Sequence, residues 1–366
     1  MVDYGKRWQI LIDGINADVL IAVNYEGTDK VSLRYLTGFT GEGSLLVSSS
    51  EPRAVLLTDS RYVEQAERET EGTGVEIRKS ASWLTTGVAE AIGALSVSRV
   101  AFASSRVTHR WVEQIQPLLT AELVSLPDPL SEQRVTKQPD ELAFLRRAAA
   151  ITDGALERLL SEIRVGMTER EVALRLDLLI RESGAEDVGF ESNVSTGANT
   201  ALNHYNPSMD PRPLKKGDLL LFDIGACYCG YRSDMTRTFA VGEAEKQARE
   251  IYELVLQANL AGIAAVHAGA SGVEVDTAAR NVIVAAGHGE HFGHGLGHGI
   301  GLEVHEAPRL SQKSKDTLKP GMVVTVEPGV YLSGYGGVRI EDDVVVTDDG
   351  CEIITGFPKE KLLVIG

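Results

Sequence analysis

Leu214-Lys215-Lys216-Gly217-Asp218-Leu219-Leu220-Leu221-Phe222-Asp223 and Leu318-Lys319-Pro320-Gly321-Met322-Val323-Val324-Thr325-Val326-Glu327 lie 104 residues apart. Each sets a Leu-Lys-x-Gly turn ahead of an apolar run, and each run ends on an acid. Upstream, at an offset of 103, Gly166, Glu171, Val172, Ile180 and Gly184 match Gly269, Glu274, Val275, Ile283 and Gly287. A helix, helix, hairpin unit therefore occurs twice. Repetition at a fixed period predicts a pseudo-symmetric domain whose two halves meet at a site.

The acids carry the chemistry. Asp223 and Asp234 flank a turn centred on Cys229-Gly230, while Glu327 and Glu341 are symmetric about Gly334. Hairpin residues equidistant from the turn lie opposite one another, and side chains alternate faces. Both pairs are expected to point to one face, the second hairpin repeating the geometry of the first. A single Asp or Glu on a strand is ordinarily solvated. Four among Leu, Val and Ile would repel one another without cations.

His298 lies in Gly293-His294-Gly295-Leu296-Gly297-His298-Gly299-Ile300-Gly301-Leu302-Glu303-Val304-His305-Glu306. Glycine at nearly every second position excludes a stable helix and predicts a loop built for close backbone approach. Four carboxylates and an imidazole exceed what one ion needs, but four negative charges balance two divalent cations. Such a pair polarises a carbonyl and supplies hydroxide at neutral pH, so hydrolysis leads. The oxygen-rich donor set suits Mn, Co, Fe or Zn. His204 and His305 are left over from the donor set, and histidine is the natural general acid near neutrality.

A chain of 366 residues exceeds the ~250–300 at which one core stops growing. The break at Ser125-Leu126-Pro127-Asp128-Pro129-Leu130 predicts a linker over 126–138, hence domains of 1–130 and 137–366. The first reads as α/β, with strands at 18–23, 44–47, 54–58 and 97–102 and a helix over 61–71. The second opens with helices over 139–164 and 168–183, the latter behind the capping box Thr168-Glu169-Arg170-Glu171. The fold class expected is α+β. No apolar run approaches the ~20 residues that span a bilayer, and no signal segment is visible. The expectation is a cytoplasmic protein with no membrane partner. Net charge is −16 without a basic stripe, which argues against nucleic acid. Three cysteines read as reduced thiols.

At these residues the chain resembles the metallopeptidase group of aminopeptidase P, prolidase and methionine aminopeptidase. The carrying motifs are Asp223-Ile224-Gly225-Ala226, Gly230-Tyr231-Arg232-Ser233-Asp234-Met235-Thr236-Arg237-Thr238, Gly297-His298-Gly299 through His305-Glu306, Val326-Glu327-Pro328-Gly329 and Val338-Arg339-Ile340-Glu341-Asp342. The resemblance implies a pita-bread catalytic domain behind a creatinase-like N-terminal domain. It implies two divalent ions, Mn foremost, with Asp234 and Glu341 bridging, Asp223 on one ion, and His298 with Glu327 on the other. Glu327 is then a candidate proton acceptor. His204, His294 and His305 line the pocket, His204 and His305 steadying substrate and tetrahedral intermediate, and Arg339 supports the ligand network. Asn203 departs from the proline common before the loop histidine.

Tyr35-Leu36-Thr37-Gly38-Phe39-Thr40-Gly41 and Thr58-Asp59-Ser60-Arg61-Tyr62 resemble the Xaa-Pro peptidases and favour aminopeptidase P. Peptides with proline second are then the partners, in a homodimeric enzyme. A dipeptide-restricted prolidase is the alternative. A metal-free hydrolase of the creatinase type, acting on a small guanidino compound, and a noncatalytic binding protein stand behind both, since all five ligands are present.

Overall fold

The computed structural model describes residues 2–51 and 53–366. The chain divides into two compact units, Met1–Arg134 and Val135–Gly366. In chain order the first holds α1 (Tyr4–Gly14), β1 (Val19–Asn24), α2 (Lys30–Thr37), β2 (Gly43–Ser48), β3 (Ala54–Thr58), α3 (Val63–Glu69), β4 (Glu76–Lys79), α4 (Thr86–Ala94), β5 (Arg99–Ala103), α5 (His109–Ile115) and β6 (Glu122–Leu126). Its six strands form one sheet in the order β4-β3-β2-β1-β5-β6. β2 is antiparallel to β1 and to β3, and the remaining pairs are parallel. All six residues of β1 are buried, as expected of an apolar run covered on both faces.

Two sequence expectations shift here. The helix expected over 61–71 is shorter because Asp59 holds the Arg61 backbone N–H (2.8 Å) and guanidinium (2.8 Å) in a turn. The stretch expected as a linker, 126–138, contains a short helix, α6 (Ser131–Val135). The prolines end β6, but the Asp128 carboxylate accepts the Leu130 N–H at 3.0 Å, a local turn that leads into the helix.

The second unit holds α7 (Pro139–Leu160), α8 (Glu169–Glu182), β7 (Asp187–Val188), β8 (Asn193–Thr196), a 3-10 turn (Gly197–Ala201), β9 (Leu219–Ile224), β10 (Ala226–Tyr228), β11 (Tyr231–Arg232) and β12 (Met235–Val241). There follow α9 (Lys246–Ala264), α10 (Gly272–Ala285), β13 (Gly297–Gly299), β14 (Glu306–Leu310), β15 (Val323–Val326), β16 (Gly329–Leu332), β17 (Gly336–Arg339), β18 (Asp342–Val346), β19 (Cys351–Ile353) and β20 (Val364–Ile365). α7 ends four residues short of the expected 164. There the Leu159 carbonyl takes the N–H of Glu162 at 2.8 Å and closes a tighter turn.

The repeat is written into the backbone. Thr168 with Glu171 caps α8, and Ser271 with Glu274 caps α10 in the same reciprocal box. Gly184 and Gly287 follow these helices at φ 97° and 81°, where a Cβ is penalised and glycine is favoured. The N–H of Gly166 reaches the Leu214 carbonyl at 2.9 Å, and Gly269 reaches Leu318 at 2.9 Å. β8, β9 and β12 lie side by side in one sheet, as β13, β15 and β18 do in another. Each half packs its own core, Leu156, Leu159 and Leu176 against Phe222 and Phe239 in the first. Val255, Val275 and Ile283 pack on Val324 and Val344 in the second.

The halves meet where β12 runs beside residues 339–341. The Glu341 N–H donates to the Thr236 carbonyl (3.1 Å), and the Thr238 hydroxyl to the Arg339 carbonyl (2.9 Å). Arg237 seals this seam. All five of its N–H groups are used, on Phe357 O (3.0 and 2.8 Å), Thr236 O (2.9 Å), Glu341 O (2.5 Å) and Asp342 Oδ1 (2.8 Å).

The expected likeness of the two hairpins is only partial. The first turns at Cys229-Gly230, both at positive φ (48° and 81°). Its register sets Asp223 opposite Thr236 and Ile224 opposite Met235, so Asp234 falls diagonally from Asp223. The second register, Val326 with Asp342 and Gly329 with Arg339, sets Glu327 directly across from Glu341. Both acids of each pair still share a face. Among the described residues, no helix is long and apolar enough to cross a membrane.

Candidate metal centre and substrate cavity

Asp223 is the penultimate residue of β9, Asp234 precedes β12, Glu327 follows β15, and Glu341 sits between β17 and β18. All four line one cavity of about 640 Å³ with His298, His204, His294, His305 and Arg339. His298 is not on a loop, as the sequence suggested, but on the strand β13. Its flanking glycines are a packing requirement of that strand. A Cβ at Gly297 would collide with the Thr325 carbonyl, and one at Gly299 with the Ala307 carbonyl.

One atom each from Asp234, His298 and Glu341 lie within 4.8 Å of one another, and all three residues are buried. His298 Nε2 is 3.3 Å from Glu327 Oε1 and 3.9 Å from Asp234 Oδ2. Asp234 Oδ1 is buried without a hydrogen-bond partner, a cost that a bound cation would offset. Burial, reinforced by Glu341, pushes the Asp234 and Glu327 carboxyls well above the ordinary range. Burial and then Asp223 raise Glu341 to about 7. Burial raises Asp223 too, opposed by Arg339. Four carboxylates that repel one another in a buried pocket fit a site completed by divalent cations.

The imidazoles are held neutral, the form that donates a lone pair to a metal. Burial, then His305, lowers His298 to about 3, and burial, then Arg339, lowers His294 to about 4. The His305 ring lies edge-on to His298 at 4.4 Å between centroids. Burial and then Arg309 lower His305 as well. His204 is exposed at the cavity wall. Asn203, standing where proline is common, accepts the Asn193 amide on its carbonyl at 3.3 Å.

Several lining and supporting groups were not singled out from sequence. Thr236 donates to Glu341 Oε2 (2.5 Å) and accepts from Arg339 Nε (2.9 Å). Arg339 Nη2 holds Asp223 Oδ2 at 2.5 Å, and its Nη1 donates to the Tyr331 hydroxyl at 3.1 Å. Tyr331 is also 3.0 Å from His294 Nε2. The Asp343 carboxylate accepts the Asp234 N–H at 2.9 Å. Arg309 lines the cavity with an exposed side chain. Alternation could have found Thr236 and Asp343, two residues from Asp234 and from Glu341 on strands. Nothing local marks Tyr331 or Arg309.

Two helix–helix–hairpin halves closed around a shared pocket are the pita-bread architecture. Residues 143–348 match metallopeptidase family M24, and residues 22–136 match the creatinase/prolidase N-terminal domain. The chain belongs to this metallopeptidase family. An Xaa-Pro dipeptidase of Pyrococcus furiosus is 41% identical over 241 residues, 66% of this chain and 69% of the relative. The structure of an Xaa-Pro dipeptidase from Bacillus anthracis matches with a TM-score of 0.92 and 39% identity, over 99% of this chain and 100% of that one. An X-Pro aminopeptidase from Thermotoga maritima MSB8 matches with a TM-score of 0.91 and 34% identity, over 98% and 100%.

Proposed function

We propose that this metallopeptidase hydrolyses the bond between an N-terminal residue and a following proline, with dipeptides as its preferred substrates. This reverses the sequence-based order, which placed aminopeptidase P first. Two of the relatives above, from Pyrococcus furiosus and Bacillus anthracis, are named Xaa-Pro dipeptidases, which favours it, and one feature of the cavity carries it. Among the described residues, the Arg309 guanidinium has no hydrogen-bond or ion-pair partner, whereas Arg339, the other guanidinium lining the cavity, is held by Asp223 and Tyr331. A dipeptide differs from a longer peptide by a carboxylate on the residue after the cleaved bond, the group a guanidinium recognises best.

Asp223, Asp234, His298, Glu327 and Glu341 would hold two divalent cations, with manganese proposed among the Mn, Co, Fe or Zn that the donor set suits. When bound, such ions polarise the substrate carbonyl and lower the pKa of water. The chain's own groups do the rest. Glu327, whose proton affinity burial raises, takes up the proton released by attacking water and passes it to the leaving proline nitrogen. His204 and His305 donate to the carbonyl oxygen as charge builds on it. Arg339 fixes Asp223 and, through Thr236, Glu341. A homodimer in the cytoplasm completes the reading, and sedimentation measures the first part of it.

The discriminating experiment compares Xaa-Pro, Xaa-Pro-amide and Xaa-Pro-Yaa on protein stripped of metal and reloaded with Mn, Co or Zn. The dipeptide should be cut fastest. Arg309→Ala should cost it roughly 10- to 100-fold in kcat/KM, the worth of a charge-assisted hydrogen bond, and leave the amide nearly unchanged. Equal losses on both would sink the dipeptidase reading. A tripeptide cut faster than the dipeptide would restore aminopeptidase P. That second reading has its own support in a neighbouring depression of about 730 Å³ bounded by Asn203, His204, Met209 and His291, room for a longer chain.

A further inference from the structure

Glu169 is the first residue of α8, and its carboxylate is wholly buried. Oε1 accepts from the Thr196 N–H (2.6 Å) and the Asn199 amide (3.0 Å). Oε2 accepts from the Tyr205 hydroxyl (2.6 Å), the Arg212 N–H (2.7 Å) and, at 3.2 Å, the same Asn199 amide. The Glu169 N–H in turn donates to the Arg212 carbonyl at 3.0 Å. Every one of these partners lies between 196 and 212. The start, middle and end of one loop are tied to a single carboxylate, which the N-terminus of α8 further favours.

That loop is the wall of the cavity over residues 203–206. It carries His204, directly before Tyr205. A buried acid is ordinarily a liability unless its environment supplies donors, so it persists only where the donors need it. The repeat shows what needs it. The capping boxes and the glycines after the helices recur in both halves, which marks them as requirements of the fold. Glu169 does not recur. Its counterpart 103 residues on is Gly272, the first residue of α10, where a Cβ would collide with the Arg309 carbonyl. The first position of this helix is thus not set by the shared fold but by what packs at that helix end in each half.

We infer that Glu169 is a positioning residue for substrate: it sets the 196–212 loop so that His204 and Tyr205 face the cavity, without touching substrate or metal itself. The kinetic consequence rests on the proposed Xaa-Pro peptidase reading of His204. The structural consequence does not.

The test uses the full-length, metal-loaded protein with Glu169→Gln, and Tyr205→Phe as a milder variant should the first not fold. Hydrogen exchange should rise on the order of tenfold in the 196–212 segment, local opening with the rest intact. Exchange in β9 and β12 and the bound metal content should stay as in the parent. On the Xaa-Pro substrate that the parent cuts, kcat/KM should fall roughly 10- to 100-fold, the scale of an ångström misplacement. In a His204→Ala background the same substitution should cost almost nothing, because both act through one group. Unchanged exchange at 196–212, exchange rising equally in β9 and β12, or an undiminished kinetic loss in the His204→Ala background would each overturn the inference. A parent that cuts no Xaa-Pro substrate would overturn the function proposed above, and the exchange result would still decide the role of Glu169.

Discussion

Replacing Arg237 with methionine should cost roughly 3 kcal/mol of unfolding free energy, the sum for three buried carbonyls that each lose a donor. The structure sets that magnitude. Arg237 is 1% exposed and spends all five donors on Asp342 and the carbonyls of Phe357, Thr236 and Glu341. Methionine fills similar volume but leaves three carbonyls without those donors, each worth about 1 kcal/mol or more. The charge on Asp342 is not orphaned, because Lys359 stays 2.5 Å from Oδ2, Asn259 donates at 3.1 Å and Thr355 at 3.0 Å. The loss therefore falls short of a stranded buried ion. Lysine should rescue little, since an ammonium has three donors and lacks the planar fork. Urea denaturation of metal-loaded protein, followed by a probe in the second unit, measures this directly. Two results would refute the reasoning: a loss below about 1 kcal/mol for methionine, or full rescue by lysine.

Removing repulsion should show a change of sign with metal. Asp234→Asn is expected to raise the thermal midpoint of the chelated protein, by relieving a buried carboxylate crowded by Glu341 and Asp223, and to abolish activity and lower bound metal in the loaded one; calorimetry with and without chelator and metal analysis check both. The pH response follows from Glu341, raised from 4.5 to about 7. A raised carboxyl favours the folded state at low pH, so Glu341's share of the chelated protein's stability should be lost as pH climbs from about 4.5 to about 7, with Asp234 and Glu327, also raised, adding to the loss. Metal binding should tighten over the same interval as protons leave the site, which titration calorimetry at stepped pH would register. Gly272→Ala should push β14 away from α10 and weaken dipeptide cleavage more than cleavage of the corresponding amide, because the displaced carbonyl belongs to Arg309; comparing kcat/KM on the two substrates tests it.

The repeat was legible because its markers answer backbone demands that sequence must meet locally. Gly166, Gly184 and Gly217, with Gly269, Gly287 and Gly321, all sit at positive φ, and the capping boxes satisfy helix N–H groups within one turn. Those constraints survive in single residues at fixed spacing. Strand register was less legible. Asp223 pairs with Thr236, because the turn at Cys229-Gly230 sets the count and the two acids are not equidistant from it. The glycines around His298 looked like loop punctuation, yet they answer carbonyls contributed by residues up to 28 positions away in sequence. Arg237 and Tyr331 stayed hidden for a related reason. Their partners, Phe357, Glu341 and Asp342 for the one and His294 for the other, lie on distant segments, and one residue's type says little about which distant group it will meet.

The unequal first residues of α8 and α10 have a consequence for how such a peptidase can diverge. Of the acids proposed as metal donors, Asp223, Asp234 and Glu341 are braced across the seam, so a change at any of the three disturbs both halves at once. The 196–212 loop takes its main brace from Glu169 in its own half, with one bond across the seam from the Gly337 N–H to the Thr200 hydroxyl at 2.7 Å, and β14 packs against Gly272. Under the proposed reading, substrate choice and metal binding thus rest largely on separate parts of one chain, so that substitution can retune which peptides are cut while the metal centre stays fixed.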